Sequence, residues 1–333
     1  LLNTIKEMNS ENILITGITG QDGLFLTSQL IEINEKVNII GISRSSSKNF
    51  FNKIHILNKN LTPDNIHLID IDLQNNNQVL SLLEKFKPSR IFNLSGPSSV
   101  YESIRKPDLY NQSIPNIFNN LIDSCIELRL FPSFFQASSS ETFDKNSNLP
   151  INENSNFKPR TPYAEAKYEI YKKVQVLRET YDWNIKAGIM FNHESEFRDD
   201  GYLFSKIIDS AIKIKNNQSD SLIVGSLSYV RDWSFAGDVV NAMILMNYSS
   251  ITEDFVIGSG IGTSIAELLN ITFSQFDLNY MDFTHVDSSL LRKGDPERII
   301  SDPLKLKNEL GWTPKLDMEQ LIDRCTSFKL NNS

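Results

Sequence analysis

The sequence predicts an α/β protein: a doubly wound parallel sheet carrying a smaller, mixed lobe toward its C-terminal end. Three observations lead there. Short apolar runs alternate with helix-length amphipathic segments through the first half, the pattern of parallel strands covered on both faces. A glycine-rich turn joins the first apolar run directly to the first helical segment. Beyond about residue 191 the alternation weakens into irregular segments. A chain of 333 residues accommodates one large unit, or a sheet domain and a second lobe.

Strands are expected at 13–16, 37–42, 66–71, 90–94, 134–138 and 185–190. Helices are expected near 21–33, 75–86, 110–129 and 161–181; in the last, Tyr168, Tyr171, Val174 and Leu177 recur at helical spacing. A later apolar run, 255–258, reads as a strand returning to the main sheet. The reading is therefore a dinucleotide-binding domain over 1–190 plus about 234–260, and a ligand-closing lobe over 191–233 and 261–333. The polar, proline-containing stretch 144–160 reads as a surface loop bordering the site.

Composition excludes several classes. A hydrophobic share of 40%, with three Trp, ten Tyr and twenty Phe, supplies a sizeable core. A formal charge of −8 offers no basic field for nucleic acid or an anionic membrane. Cys125 and Cys325 stand far apart and read as free thiols in a reducing cytoplasm. The four His (55, 67, 193 and 285) lack ligand spacing, so no metal site is expected. No run reaches the length of a membrane span, and residues 1–12 lack the apolar core of a signal peptide.

The turn Thr16-Gly17-Ile18-Thr19-Gly20-Gln21-Asp22-Gly23 follows the first strand and opens the first helix. Glycine there allows a tight bend and close approach of backbone to a pyrophosphate, whose charge rests on helix N-terminal N–H groups. This marks a Rossmann-like dinucleotide site. The second strand ends in Ser43-Arg44-Ser45-Ser46-Ser47, where an NAD-preferring site would carry a carboxylate for the ribose. Arg44 and the serines suit a 2′-phosphate, so NADP is expected over NAD.

Tyr163 and Lys167, four residues apart on a helix, share one face. The lysine charge is expected to favour a phenolate and to hold the nicotinamide ribose. Gln136-Ala137-Ser138-Ser139-Ser140-Glu141 ends a strand at the carboxyl edge of the sheet, where ligands bind. Ser139 is placed to relay a proton to Tyr163. Glu141 points to the same side if the chain stays extended, and serves as a second acid–base group.

The glycine spacing resembles that of the short-chain dehydrogenase/reductase superfamily. Together TGITGQDG, QASSSE, PYAEAK and the run Phe191-Asn192-His193-Glu194-Ser195 resemble its GDP-mannose 4,6-dehydratase branch through most of the chain. That resemblance implies a nucleotide-sugar 4,6-dehydratase, a lyase of deoxysugar biosynthesis, in which Ser139, Glu141, Tyr163 and Lys167 are catalytic. Hydride leaves C4 for tightly held NADP and returns to C6, while Glu141 handles the C5 proton. It implies cofactor contacts from Thr16, Gly17, Thr19, Gly20, Gln21, Asp22, Gly23, Arg44, Asp72, Leu73, Leu94, Ser95, Tyr163 and Lys167. It implies substrate contacts, a GDP-sugar favoured, from Ser98, Ser139, Asn192, Glu194, Lys206, Arg231 and Arg292, with His193 structural. It further implies a homodimer or homotetramer through the helices near 110–129 and 161–181, and a packing role for Gly311-Trp312-Thr313-Pro314.

The departures are local. Ser139 replaces the usual Thr, Pro97 a Gln, and Glu141-Thr142-Phe143-Asp144 the family's Glu-Leu-Tyr-Gly. Glu196-Phe197-Arg198 replaces Pro-Arg-Arg, Asp199 to Ser205 match poorly, and Asp295 stands where Glu is common. The rival readings are a nucleotide-sugar 4-epimerase or 4-ketoreductase on the same scaffold and, more remotely, a non-catalytic NADP-sensing protein.

Overall fold

A computed structural model describes residues 5–7, 9–44, 48–59, 63–144, 146–291 and 295–332. Its main sheet comprises β1 (Asn12–Thr16), β2 (Asn38–Ile42), β3 (Ile66–Ile69), β4 (Arg90–Asn93), β5 (Ser133–Ser139), β6 (Ile185–Met190) and β10 (Phe255–Ile257). All are parallel, in the order β3-β2-β1-β4-β5-β6-β10. Residues alternate between the two faces of each strand, so both faces can be apolar. On β1, Ile13 and Ile15 face one core layer and Leu14 the other. The first layer holds α1 (Gln21–Ile33) against α8 (Ala236–Tyr248); the second holds α3 (Asn76–Phe86), α5 (Pro107–Glu127) and α6 (Pro162–Tyr181).

Local chemistry sets the ends of these elements. Thr161 caps α6 by accepting from the Ala164 N–H, and Pro162 occupies the first turn, where its missing N–H costs nothing. The third strand stops at Ile69, two residues short of the expected 71, because Asp72 to Asn75 form a turn and Asn75 caps α3. The helix expected near 110 begins at Pro107, directly after the short α4 (Val100–Arg105). Another helix, α2 (Lys48–Leu57), lies between β2 and β3.

The segment 144–160 is more than a surface loop. Ile151 is buried and its N–H donates to the Ile300 carbonyl (2.8 Å), while Glu153 accepts from the Val256 N–H (2.7 Å), an outward donor of β10. The loop thus covers the edge of the main sheet.

The remaining strands form two small sheets. β7 (Asn192–Glu194), β11 (Gly262–Ser264) and β13 (Arg298–Ile299) all pair with β9 (Val230–Phe235), and β8 (Leu222–Val224) pairs with β12 (Thr284–Val286). They pack with α7 (Leu203–Lys215), α9 (Ile265–Ser274) and α11 (Met318–Asn331), whereas α10 (Leu304–Leu310) lies against β10 and α8. Trp312 is buried and donates to the Asp238 carbonyl (2.9 Å), the packing role expected of it. Among the described residues, no helix is long and apolar enough to cross a membrane.

Candidate active site

Strand order reverses between β1 and β4, which opens a crevice at the carboxyl edge of the sheet. There a cleft of about 1460 Å³ runs from the glycine turn, past the ends of β4 and β5, to β8 and β9. Every site residue expected from sequence lines it except Thr16 and Arg292. Arg292, like Ser45 to Ser47, lies outside the described residues. Thr16 requires a correction. Its side chain is fully buried, donates to Asn93 Oδ1 (2.7 Å) and accepts from the N–H groups of Leu94 and Ser95 (both 3.1 Å). It shapes the cleft by tying β1 to the end of β4, and touches no ligand space.

The glycine turn has the form a dinucleotide needs. Gly17 has a φ of +69°, and a Cβ there would sit 3.1 Å from the Leu94 carbonyl oxygen. A Cβ at Gly23 would lie 2.4 Å from the Ile18 oxygen, so only glycine lets α1 rise this close to the turn. No side chain caps α1, whose N-terminal dipole therefore faces the cleft. Arg44 is exposed at the cleft just beyond β2.

Gln21 and Asp22 are engaged chiefly with protein. Gln21 donates to the His193 carbonyl (3.2 Å) and accepts from the Ser195 hydroxyl (2.8 Å). Asp22 Oδ2 meets His193 Nε2 at 3.1 Å, and His193 Nδ1 meets the Phe191 carbonyl at 2.8 Å. Burial alone would raise the Asp22 carboxyl, but His193 and Arg198 outweigh it and hold it below its ordinary value. Burial likewise opposes the imidazolium, and Asp22 overcomes it, so His193 sits above its usual range.

The end of β5 and the first turns of α6 bring Ser139, Glu141, Tyr163 and Lys167 to one wall. The chain does not stay extended after Ser139: residues Ser140–Thr142 form a 3-10 turn, with Ser139 Oγ accepting from the Glu141 N–H (3.3 Å). Glu141 reaches the cleft through that turn. Lys167 donates to the Ala137 carbonyl (2.8 Å) and lies 5.8 Å from the centre of the Tyr163 ring. Burial lowers its ammonium to about 8, against an opposing pull from Asp22.

The expected acidification of Tyr163 by Lys167 is not what the structure has. Burial drives the phenol well above its ordinary value; a hydrogen bond with Ser139 and the charge of Arg198 pull it down, while Glu141 pushes it up. A phenolate in this dry pocket is costly to solvate, and Lys167 directs one of its three donors to a backbone carbonyl.

Across the cleft, Asn192 is exposed at the start of β7. Glu194 is buried and paired with Arg198 (2.7 Å). Lys206 donates to the Ile223 carbonyl (2.9 Å), and Ser98 Oγ meets Tyr202 Oη at 2.9 Å. Arg231 pairs with Asp295 (3.2 Å), whereas its neighbour Asp232 is buried and accepts from the N–H groups of Ser259, Gly260 and Ser301. Sequence reasoning missed Arg198 and Tyr202 as lining residues. The four-residue spacing of Glu194 and Arg198 was the available signal. No group of three or more His, Cys, Asp or Glu able to hold a metal occurs among the described residues.

The family described as GDP-mannose 4,6 dehydratase matches residues 14–325. GDP-mannose 4,6 dehydratase 2 of Arabidopsis thaliana is 32% identical over 93% of this chain and 84% of its own. Among solved structures, a UDP-glucose 4-epimerase of Thermotoga maritima superposes with a TM-score of 0.82 at 21% identity, over 96% of this chain and 99% of its own. The dTDP-glucose 4,6-dehydratase of Bacillus anthracis, in complex with NAD, gives 0.81 at 18% identity over 97% of each chain.

Proposed function

The chain belongs to the GDP-mannose 4,6-dehydratase family, and from that premise we propose that it converts a GDP-hexose, GDP-mannose favoured, into its 4-keto-6-deoxy form with loss of water. The observation that carries this reading is a second acid–base group, Glu141, on the same cleft wall as Ser139, Tyr163 and Lys167. Oxidation or epimerisation at C4 needs only the tyrosine; elimination across C5 and C6 needs a base of its own.

When bound, the oxidised nicotinamide supplies a positive charge and a hydride acceptor. Gly17, Gly20 and the N-terminus of α1 would hold its pyrophosphate, and Lys167 its ribose. Ser139 donates to the sugar 4-oxygen, and Tyr163 takes the C4 hydroxyl proton; burial opposes its phenolate, and Ser139 and Arg198 offset part of that cost. Glu141 then takes the proton that C4 oxidation has made acidic at C5 and hands it to the departing C6 hydroxyl. C6 recovers the hydride lost from C4, and C5 regains a proton equivalent to the one Tyr163 took, so that water is the only net loss. Asn192, Lys206 and Arg231 hold the nucleotide sugar. Arg44 supports NADP over NAD, because it stands where a ribose-binding carboxylate would select NAD. Exposed apolar residues Leu109 on α5 and Val176 on α6 support a homodimer or homotetramer assembled through those helices. The buried free thiols Cys125 and Cys325 agree with a cytoplasmic setting.

Incubation with GDP-mannose and substoichiometric NADP⁺ tests the reading. A 4-keto-6-deoxy product should accumulate without net NADPH. No product with NADP⁺ but turnover of a 4-keto nucleotide sugar that consumes added NADPH stoichiometrically, or a product inverted only at C4, would replace it with the reductase or epimerase reading. Glu141→Gln should slow water loss by about a hundredfold or more.

A further inference from the structure

Residues 195–202 leave β7 and cross toward α7 along the crevice. One end is clamped to the first turn of α1. Ser195 donates to Gln21, Gln21 donates to the His193 carbonyl, and His193 pairs with Asp22. Phe197 is buried with its ring edge-on to Phe25 of α1, 5.9 Å between centres. In the middle, Arg198 is held by Glu194 (2.7 Å) and the His193 carbonyl (3.0 Å), and its guanidinium lies 4.0 Å from the centre of the Tyr202 ring. At the far end the Tyr202 hydroxyl meets that of Ser98, 2.9 Å away, on the loop after β4.

A continuous chain of side chains thus spans from the turn after β1 to the loop after β4. Those are the two lips of the crevice in which a parallel sheet of this order binds its dinucleotide. Tyr202 and Tyr163 both line the cleft. The two ends differ in strength. Ser195 and Phe197 are buried, whereas Ser98 is exposed and bonded to the strap through one hydroxyl pair. Asp199, Asp200 and Gly201, just before Tyr202, are exposed, and a Cβ at Gly201 would meet nothing within 4 Å. The strap has room to move over Asp199 to Gly201, between its clamped end and Tyr202 at the start of α7.

We propose that Tyr202 is a positioning residue: with Ser98 it latches residues 195–202 across the crevice and slows release of the bound dinucleotide between turnovers. The inference rests on the proposed function, in which the cofactor ends each cycle in its starting oxidation state, so retention shortens the cycle and exchange adds nothing.

The test uses the full chain and no sugar. Protein loaded with NADPH, and in parallel with NADH, is chased with excess oxidised cofactor, and release is followed by loss of nicotinamide fluorescence. Tyr202→Phe keeps the ring on Arg198 and removes only the hydroxyl; release should accelerate about three- to tenfold, the worth of one hydrogen bond. Ser98→Ala should do the same, and the double variant should release no faster than either single one, because each removes the same bond. Thermal unfolding of each variant checks that the fold is kept. Release at the parental rate in Tyr202→Phe, or single effects that multiply in the double variant, would overturn the latch while leaving the proposed function standing. A parent chain that binds neither NADPH nor NADH would overturn the cofactor reading and the latch together.

Discussion

The two walls of the cleft are built on different principles. On the β5–α6 wall, Ser139, Tyr163 and Lys167 are brought together by the end of one strand and one turn of helix, and each is nearly buried. Their polar contacts stay within that strand end and helix: Lys167 reaches back to Ala137, and Ser139 takes the Glu141 N–H. On the opposite wall the charged groups are already paired with protein, Glu194 with Arg198 and Arg231 with Asp295. The first wall is preorganised for chemistry. On the proposed function, the second exchanges an internal partner for the ligand, which would make it the place where affinity is set.

The sharpest way to break this contrast is at the phenol. Tyr163→Phe removes the proton acceptor and keeps the ring that packs edge-on against Tyr110, 6.4 Å between centres. Product formation should fall about a thousandfold, with KM for the nucleotide sugar and the unfolding temperature little changed. A variant within tenfold of the parent would show that the β5–α6 wall does not carry the proton transfer.

The same contrast explains what could be read from sequence. Tyr163 and Lys167 are legible because a helix puts residues four apart on one face, and the glycine turn because its backbone geometry admits few side chains. Asp295 as the partner of Arg231 is not legible: the two are joined by the closing of β13 on β9, a long-range event with no local periodicity. Thr16 misleads for a related reason. The resemblance of the glycine turn places it at the cofactor, but its hydroxyl turns to Asn93 and the N–H groups after β4. Glu141 is reached through a wrong intermediate, an extended chain where the backbone makes a 3-10 turn. The Ile151–Ser301 bridge that draws the 144–160 loop onto the sheet edge likewise joins residues far apart in sequence.

On the second wall the informative change is Arg231→Ala. A guanidinium that leaves Asp295 for a diphosphate contributes charge-assisted hydrogen bonds in the bound state only. KM should rise about ten- to a hundredfold while kcat stays within a few-fold. Asp295→Asn weakens the internal competitor without removing the cation, and should leave KM unchanged or lower it. Steady-state kinetics of the two variants decide the matter: an increase in KM for Asp295→Asn matching that of Arg231→Ala would mean that the pair is structural.

The smallest expected effect is a fraction of a proton, and it tests whether Lys167 is ready for its ligand. Burial holds its ammonium at about 8, below the ordinary lysine value of 10.5. A depressed base means that the unfolded chain binds more protons between these values. Its contribution therefore favours the folded state fully above about pH 10.5 and loses ground as pH falls to 8. Binding a dinucleotide reverses the local balance, because phosphates and ribose oxygens favour the ammonium. At about pH 8 the complex should take up as much as about half a proton, fading to none near about pH 6.5, where Lys167 is already charged. Calorimetric titration with NADP⁺ in buffers of different ionisation enthalpy measures the uptake, and Lys167→Met should abolish it. Uptake that survives in Lys167→Met would assign the proton to another group, and would make this lysine a helix-packing cation in place of the ribose ligand.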